Sequence, residues 1–402
     1  MNQGIIVGIL SILFYLTNLL GGGQGQPIKH VDPPMSQQSY AVLGQSGTII
    51  ADRVTLRRSP SGDAQALGTA IKGAPIIILD KKDNWYKIRP RSGVEGWIPD
   101  YALAVQETVP SQPDQVVLGF YPGGELAYDS LLANGTKLTG LSPLGWQLDR
   151  YGKLDASFDP EEVGRSLYFA GNREMDTYAH VRIAANPSRL LEADYLREDT
   201  INRLLSVVDE WGLKGVVLDL AYVPGSEQAE LFRFLEATSA KLRQEEKTTM
   251  VALPWDATID YETAANAVDY LILKTAAEPV HGQVGPRASA PEVEAMVQEI
   301  VGRVTPDKII LSISTGGVHW SRTGIPQSFS HQDVLELAAK QGASVKWDTD
   351  SKTPYFIYNG GEVWFENRYS LKYKIDLAED FNLGGLALQN LGQEDAEIWT
   401  RL

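Results

Sequence analysis

The residue best placed to do chemistry is Asp219, near the end of the run LKGVVLDLAYVP at residues 213–224. Residues 216–220 are apolar apart from Asp219 itself and have an amphipathic segment on either side, as is typical of a buried strand in a parallel sheet. A carboxylate at the end of such a strand points out of the carboxyl edge, where α/β barrels place their reacting groups. Asp219 is therefore a candidate functional residue. The alternative is a buried carboxylate that backbone and hydroxyl groups satisfy.

Several aromatic residues are expected near the same edge, together with one amide. They are Tyr121, Trp146, Tyr222, Trp255, Trp320 and Asn390. Sugars pack their C–H faces on aromatic rings and use a few polar groups for orientation. With Asp219, this set predicts a sugar-binding site. In the alternative, two or three of the rings only cap the end of the fold.

Composition and charge narrow the classes of function. The formal net charge is −15, and residues 104–402 hold 26 Lys and Arg against 44 Asp and Glu, which argues against nucleic-acid binding. The chain has no cysteine, so disulfides and thiolate metal sites are excluded. His180, His281 and His319 are too scattered to predict a metal site. We predict neither a metal nor a cofactor.

The N-terminal 23 residues predict a membrane anchor or a signal peptide. Residues 4–20 contain no charged side chain, which is near the lower length limit for crossing a bilayer. We expect an uncleaved anchor that holds the protein outside the cytoplasmic membrane, and the alternative is a cleaved signal and a secreted protein. Residues 24–45 are rich in Gly, Gln, Pro and Ser and predict a flexible tether.

Residues 46–104 contain short β runs separated by turns. The runs VTLRRSP (54–60), NWYKI (84–88) and GWI (96–98) resemble a bacterial SH3-like domain, and the resemblance implies cell-wall peptide binding or a spacer role. Trp85, Tyr86 and Trp97 are either ligand platforms or core residues. A barrel this small favours the core role, because it has few residues with which to fill its interior. Residues 105–115 predict a linker.

From residue 116 to 402, short apolar strands alternate with amphipathic helices, the pattern of an α/β fold. Strands are predicted at residues 116–121, 138–143, 179–184, 216–220, 249–254, 268–274, 309–314 and 384–388, and the helices between them include 198–211 and 226–243. Eight such units predict a closed (β/α)8 barrel. An open doubly wound sheet is the alternative, but no Gly-rich phosphate loop follows the first strand.

This region resembles glycoside hydrolase family 18, the chitinases and the spore-cortex and cell-wall glucosaminidases. The family pattern Asp-Gly-x-x-x-Asp-x-Glu is matched by the frame Lys214-Gly215-x-x-x-Asp219-x-Ala221. Further matches are LSP (141–143), EVWFEN (362–367), GGL (384–386) and LGQED (391–395). The resemblance implies a TIM barrel and substrate-assisted hydrolysis, in which the N-acetyl oxygen of the sugar attacks its own anomeric carbon.

The catalytic positions that the resemblance implies are degenerate. Asp219, which would orient the acetamide, remains. Ala221 stands at the position of the general acid, and Ala276 and Ala277 stand at the two positions that would hold the acetamide. Gln389 stands where a tryptophan would stack under the reacting sugar. Changes at separate strand ends that remove the same reaction predict that hydrolysis has been lost. The alternative is a relocated acid, for which the candidates are Asp256, Glu278 and Glu366.

We therefore predict a membrane-tethered, extracytoplasmic, non-catalytic protein. Its expected partner is a cell-wall glycan, such as peptidoglycan or another N-acetylglucosamine polymer, or an envelope protein. An active N-acetylglucosaminidase or chitinase-type enzyme with a relocated acid is one alternative. A structural docking subunit that binds no sugar is the other.

Overall fold

The structure, a computed structural model, describes residues 45–105, 115–184, 187–223 and 225–402. The predicted anchor or signal at residues 4–20 lies outside these residues, as does nearly all of the predicted tether. Among the helices of the described ranges, none is both long and apolar enough to cross a bilayer.

The first described region is a seven-stranded antiparallel sheet. Its strands are Ser46–Ile49 (β1), Arg53–Arg57 (β2), Ala66–Ile71 (β3), Pro75–Lys82 (β4), Trp85–Pro90 (β5), Gly96–Pro99 (β6) and Leu103–Val105 (β7). They pair in the order β3-β2-β6-β5-β4-β1-β7. Alternate apolar side chains, among them Leu56, Ile78, Ile88 and Ile98, point to one buried cluster. The SH3-like prediction for this region is confirmed.

The strands of the second region include those of a closed barrel. In chain order they are Val116–Tyr121 (β8), Gly140–Leu148 (β9), Leu154–Ala156 (β10), Asp176–Ile183 (β11), Gly215–Leu220 (β12), Thr248–Pro254 (β13), Tyr270–Lys274 (β14), Ile309–Ser314 (β15), Gly317–Ser321 (β16), Pro326–Phe329 (β17), Lys346–Asp348 (β18), Thr353–Tyr358 (β19), Gly361–Phe365 (β20) and Gly385–Gln389 (β21). Strands β8, β9, β11, β12, β13, β14, β15 and β21 are parallel neighbours, and β8 pairs with both β9 and β21. The sheet therefore closes. The barrel prediction is confirmed, and the open-sheet alternative is wrong.

Helices connect these strands. They are Glu125–Asn134 (α1), Pro160–Asn172 (α2), Ser188–Glu192 (α3), Asp194–Glu210 (α4), Gln228–Arg243 (α5), Tyr261–Ala267 (α6), Ala290–Ile300 (α7), His331–Gln341 (α8) and Arg368–Asp380 (α9). Several begin at side-chain caps that their sequence supplies. Ser289 and Glu292 form a capping box at α7, and the Asn367 side chain accepts backbone hydrogen bonds at the start of α9.

Two barrel strands differ from their predicted bounds by three residues or more at one end, and four others differ by one or two. The second strand, predicted at residues 138–143, runs from Gly140 to Leu148 as β9, because Trp146, Gln147 and Leu148 pair with the antiparallel β10 on one side and with β11 on the other. The third, predicted from residue 179, begins at Asp176, where β11 pairs with the start of β9. The first and seventh strands have their predicted bounds.

The barrel interior is filled by inward-facing apolar side chains, as expected for a barrel of eight strands. They include Phe120, Val217, Met250, Ile272 and Ile310. The entry of β12 into this barrel requires Gly215. A Cβ atom at residue 215 would lie 1.9 Å from the carbonyl oxygen of Thr248, so any side chain would push β12 away from β13.

A second antiparallel sheet is inserted between β15 and β21. Its order is β17-β16-β20-β19-β18, which leaves β18 at an edge. Helix α8 covers the sheet, with Val334 packed among Phe356, Val363 and Phe365. The insertion therefore has its own hydrophobic core beside the barrel.

Arg89 of β5 joins the SH3-like region to the barrel. Its guanidinium contacts Glu95 of its own sheet at 3.0 Å and, on α1, Glu125 at 2.5 Å and Asp129 at 2.7 Å. Burial works against the charge of Arg89, but the carboxylates on α1 outweigh it and raise its pKa. The guanidinium, 6% exposed, also lies 5.3 Å from the ring of Tyr128. The charge on Arg89 is therefore permanent, and carboxylates of both regions pair with it.

Candidate functional site

Asp219 lies at the mouth of the barrel, which is formed by the carboxyl ends of the parallel strands. It is the last residue but one of β12, beside Arg182 of β11 and Ala252 of β13 in the strand register. The side chain at position 252 is only a methyl group. A long side chain from β14 can therefore reach Asp219 across β13, and Lys274 does so.

Each oxygen of the Asp219 carboxylate has one basic side chain as a partner. Lys274 donates from Nζ to Asp219 Oδ1 at 2.6 Å and to the carbonyl oxygen of Leu220 at 2.9 Å. His180 Nε2 lies 3.2 Å from the other oxygen, Oδ2. Burial favours the neutral acid, but His180 and Lys274 outweigh it and hold the pKa of Asp219 well below its usual range. Asp219 is thus an ionised, paired carboxylate and holds no proton to donate at neutral pH.

Sequence reasoning missed both partners of Asp219. The sequence spacing of His180, His281 and His319 gives no sign of this contact, and Lys274, two residues before Ala276, is not among the predicted site residues. The available signal was the lysine that ends an otherwise apolar strand, YLILK, because a charge at that position needs a partner. His281 and His319 lie elsewhere, and His319 Nε2 is 2.9 Å from the Tyr358 hydroxyl. In the ranges that the structure covers, no three His, Asp or Glu side chains are grouped as a metal site.

The four positions at which the family resemblance implies catalytic side chains lie at the ends of barrel strands. Ala221 is exposed two residues after Asp219, and Ala276 and Ala277 follow the end of β14. Gln389 is half-buried at the end of β21, beside Ser314 in the register. The side chains at these strand ends supply neither a carboxylic acid nor an acetamide clamp.

A second cation lies close to the sixth strand. Arg287 donates from Nε to the carbonyl oxygen of Ala277 at 2.8 Å and from Nη1 to Ser314 Oγ, at the end of β15, at 3.3 Å. Burial lowers the pKa of this guanidinium, and the charges of Glu278 and Glu366 partly oppose the effect. Sequence reasoning did not identify Arg287, which lies in the irregular segment before α7. Arg287 therefore connects the segment after β14 to the end of β15.

Two of the three candidate relocated acids are held in ways that do not suit a proton donor. Glu366 is buried and paired with Lys374, and it accepts a hydrogen bond of 2.7 Å from Ser370 Oγ. Asp256 accepts hydrogen bonds from the backbone and the hydroxyl of Thr258, which lower its pKa and favour the ionised form. The third candidate, Glu278, is exposed.

Three of the predicted aromatic contacts are buried. Tyr121 ends β8 with no exposed surface, and burial raises its pKa to about 12. Trp146 packs edge-on against Phe158 and Trp211, with ring centroids 4.6 Å and 5.7 Å away. Trp320 lies buried in β16 of the inserted sheet. These three side chains therefore present almost no surface to a ligand.

Two other aromatic residues have surface available to a ligand. Tyr222 is exposed directly after β12. Trp255 follows β13 and is half-buried, with one face stacked on Tyr261 at 5.6 Å and an interplanar angle of 8°. Asn390, half-buried, accepts a hydrogen bond from Thr315 through its backbone oxygen, so that contact does not engage its side-chain amide. A sugar-binding role for these residues stays a prediction.

The aromatic residues of the SH3-like region divide between the two faces of its sheet. Tyr86 pairs with Ile98 in the register and packs against the core. Trp97 pairs with Lys87, and Trp85 lies two residues before Lys87, so alternation places both tryptophans on the opposite face. Both are half-buried. Their role as ligand platforms or packing residues stays a prediction.

The closed barrel, with a carboxylate at the end of its fourth strand, is the architecture of a TIM-barrel glycosidase. The family model "Glycosyl hydrolases family 18" matches residues 184–394, and "Bacterial SH3 domain" matches residues 52–104. The chain belongs to glycosyl hydrolase family 18.

Curated relatives are distant in sequence. An uncharacterized glycosylase, YvbX, of Bacillus subtilis is 20% identical over 311 residues, which cover 71% of this chain and 89% of the relative. The cortical fragment-lytic enzyme of the same organism is 23% identical over 235 residues. That match spans 53% of this chain and 54% of the enzyme, so the chain corresponds to about half of that relative.

Solved structures share the fold. A chitinase from Chromobacterium violaceum matches with a TM-score of 0.66 and 22% identity, over 71% of this chain and 97% of that one. The spore cortex-lytic enzyme SleL of Bacillus megaterium matches with a TM-score of 0.64 and 18% identity, over 75% of this chain and 76% of that one. At these identities the similarity establishes the barrel fold alone.

Proposed function

We propose that this chain is a family 18 barrel that binds cell-wall glycan and does not cleave it. The observation that carries the proposal is the Lys274–Asp219 ion pair at the barrel mouth, two residues from Ala221. The family resemblance places the acetamide-orienting carboxylate at Asp219 and the proton donor at Ala221. In this chain the first is neutralised and the second is a methyl group.

Hydrolysis by the family mechanism has two requirements, a proton donor for the leaving oxygen and an oriented acetamide. Protonation of the leaving oxygen by a positioned acid contributes about 10²–10⁴-fold to the rate, and alanine contributes none of it. Orientation of the acetamide needs an acceptor for its N–H, and at Asp219 Lys274 and His180 compete for the two oxygens. Glutamate at position 221 would thus restore one half of the reaction only.

Binding of a glycan requires neither a proton donor nor an oriented acetamide. Tyr222 and Trp255 offer aromatic surface beside the mouth, and polar groups at the strand ends can accept or donate hydrogen bonds to hydroxyls. The names of the relatives include cortical fragment-lytic enzymes and chitinases, which points to polymers of N-acetylated sugars. The SH3-like region would add a second contact with the wall.

The proposal includes an extracytoplasmic location. An anchor at residues 4–20 would hold the chain at the membrane, with residues 24–45 as a tether to the SH3-like region. Cleavage after this segment would release the protein instead. Fractionation of cells, with N-terminal sequencing of the mature chain, separates the two outcomes.

Co-sedimentation with purified peptidoglycan and with chitin tests binding, and release of reducing ends from the same polymers tests cleavage. We expect sedimentation without new reducing ends. Trp255→Ala should weaken sedimentation at least fivefold, while Tyr195→Ala, a change at an exposed tyrosine on α4, should not. Reducing ends formed by the wild type would overturn the non-catalytic assignment. Absence of binding to either polymer would instead favour a structural docking role.

A further inference from the structure

A recess on the outer surface contains three aromatic side chains that the barrel mouth does not use. It lies where the edge strand β18 meets helix α9 and has a volume of about 490 Å³. Its lining residues are Trp347, Tyr369, Lys372, Tyr373 and Asp376. We name it the α9 recess. Its volume falls within the usual range of small-ligand pockets, roughly 300–1,000 Å³.

The rings in the α9 recess are unusually accessible. Trp347 is 38% exposed, Tyr369 63% and Tyr373 46%. Tyr369 and Tyr373 are four residues apart, so they lie one above the other on the same face of α9. Trp347 comes from a different element, the edge strand of the inserted sheet. Two elements thus present aromatic surface to one recess, and covering that surface would be favourable.

The charged groups of the α9 recess are paired with each other. Lys372 forms an ion pair with Asp376, and Arg401 contacts the other oxygen of Asp376 at 2.7 Å and Glu379 at 2.8 Å. Burial disfavours the charge of Asp376, but Lys372 and Arg401 lower its pKa. The recess itself contains one lysine and one aspartate, so it has no net charge. It would attract neither an anion nor a cation strongly.

A neutral ligand with an apolar face and polar edges fits this combination. A pyranose ring stacks its C–H face on aromatic rings, while its hydroxyls take hydrogen bonds from fixed donors and acceptors at the rim. We propose that the α9 recess is a second glycan-binding site, for a neutral sugar chain, separate from the barrel mouth; the N-acetylated class of that chain rests on the function proposed above. The observations that support it are independent of the Asp219 ion pair.

Isothermal titration of the full chain with N-acetylchitotetraose tests the assignment. The wild type should bind two molecules per chain, at the mouth and at the α9 recess. The double variant Tyr369→Ala/Tyr373→Ala should bind one, and Trp347→Ala should weaken the second site at least fivefold. Tyr195→Ala is the matched control, because this exposed tyrosine lies on α4 and does not line the recess.

The same titration separates this proposal from the one for the mouth. If Trp255→Ala removes a site and the double variant does not, the α9 recess assignment is overturned and the mouth proposal stands. If only the double variant removes a site, the mouth proposal is overturned and the α9 recess assignment stands. Absence of tetrasaccharide binding overturns both. Concentration-dependent self-association that the double variant abolishes, with glycan binding unchanged, would identify a second copy of the chain as the occupant.

Discussion

Replacement of Lys274 by methionine tests the Lys274–Asp219 ion pair at the barrel mouth. Methionine retains much of the length and apolar stem of lysine but removes the ammonium group. The Asp219 carboxylate, 18% exposed, would lose its 2.6 Å partner and keep only His180. Removal of one partner from a buried ion pair costs about 3 kcal/mol, the lower end of the usual range, because both side chains retain some solvent contact. At about 2 °C per kcal/mol for a domain of this size, Tm should fall by about 6 °C at pH 7.

The pH dependence of this difference checks its cause. The pKa of Asp219 is depressed in the folded protein, so the stabilisation from its pairing is present above the ordinary aspartate pKa of about 3.9. This stabilisation is lost as the pH falls through the folded-state pKa. In Lys274→Met the carboxyl keeps His180 but loses Lys274, so its pKa lies higher than in the wild type and protonation relieves the buried charge at a higher pH. The Tm difference between the two proteins should therefore narrow as the pH is lowered from 7 to 4.

Lys247→Met is the matched control for this experiment. Lys247 also donates to a backbone carbonyl, that of Leu213 at 2.9 Å, but its nearest carboxylate, on Asp209, is 3.7 Å away and 58% exposed. This change should cost less than about 1 kcal/mol and depend little on pH. Equal Tm losses for the two variants, or a Lys274→Met loss independent of pH, would refute the reasoning.

Three further changes test the other parts of the structure. Ala221→Glu should release no reducing ends from chitin oligosaccharides, because the ion pair still holds the acetamide-orienting carboxylate; measurable turnover would contradict this. Gly215→Ala should destabilise the barrel by about 3 kcal/mol or more in thermal melts, because its Cβ would lie 1.9 Å from a carbonyl oxygen. Gly171→Ala is the control: this glycine faces open space on α2, so the change should be neutral or stabilising. Arg89→Gln leaves three carboxylates without their shared cation and should speed proteolysis between residues 105 and 115; an unchanged cleavage rate would show that the contact contributes little.

The barrel interior and the mouth consist of different side chains. The layers of the interior are apolar and include Phe120, Val217 and Ile310. Lys274 at the end of β14 and Arg287 in the irregular segment before α7 belong to the mouth. Substitutions among the mouth residues can therefore leave the packing that stabilises the fold unaffected.

Most of the barrel could be predicted because strands of a parallel sheet are buried on both faces and form continuous apolar runs. The run at residues 216–220 lies within β12, and the first and seventh strands have their predicted bounds. The errors fall where pairing is not local. The extension of β9 depends on its pairing with β10 on one side and β11 on the other, and the apolar pattern of the segment itself specifies neither partner.

The sequence alone determined which side chains the mouth lacks, since an alanine at position 221 is no acid in any conformation. Only the tertiary structure decided what holds Asp219. Its partners, His180 and Lys274, are 39 and 55 residues away along the chain and lie on different strands. They meet because β11, β12, β13 and β14 are neighbours in the sheet, and because Ala252 of β13 leaves room between Asp219 and Lys274. This order of strands makes Asp219 one half of an ion pair.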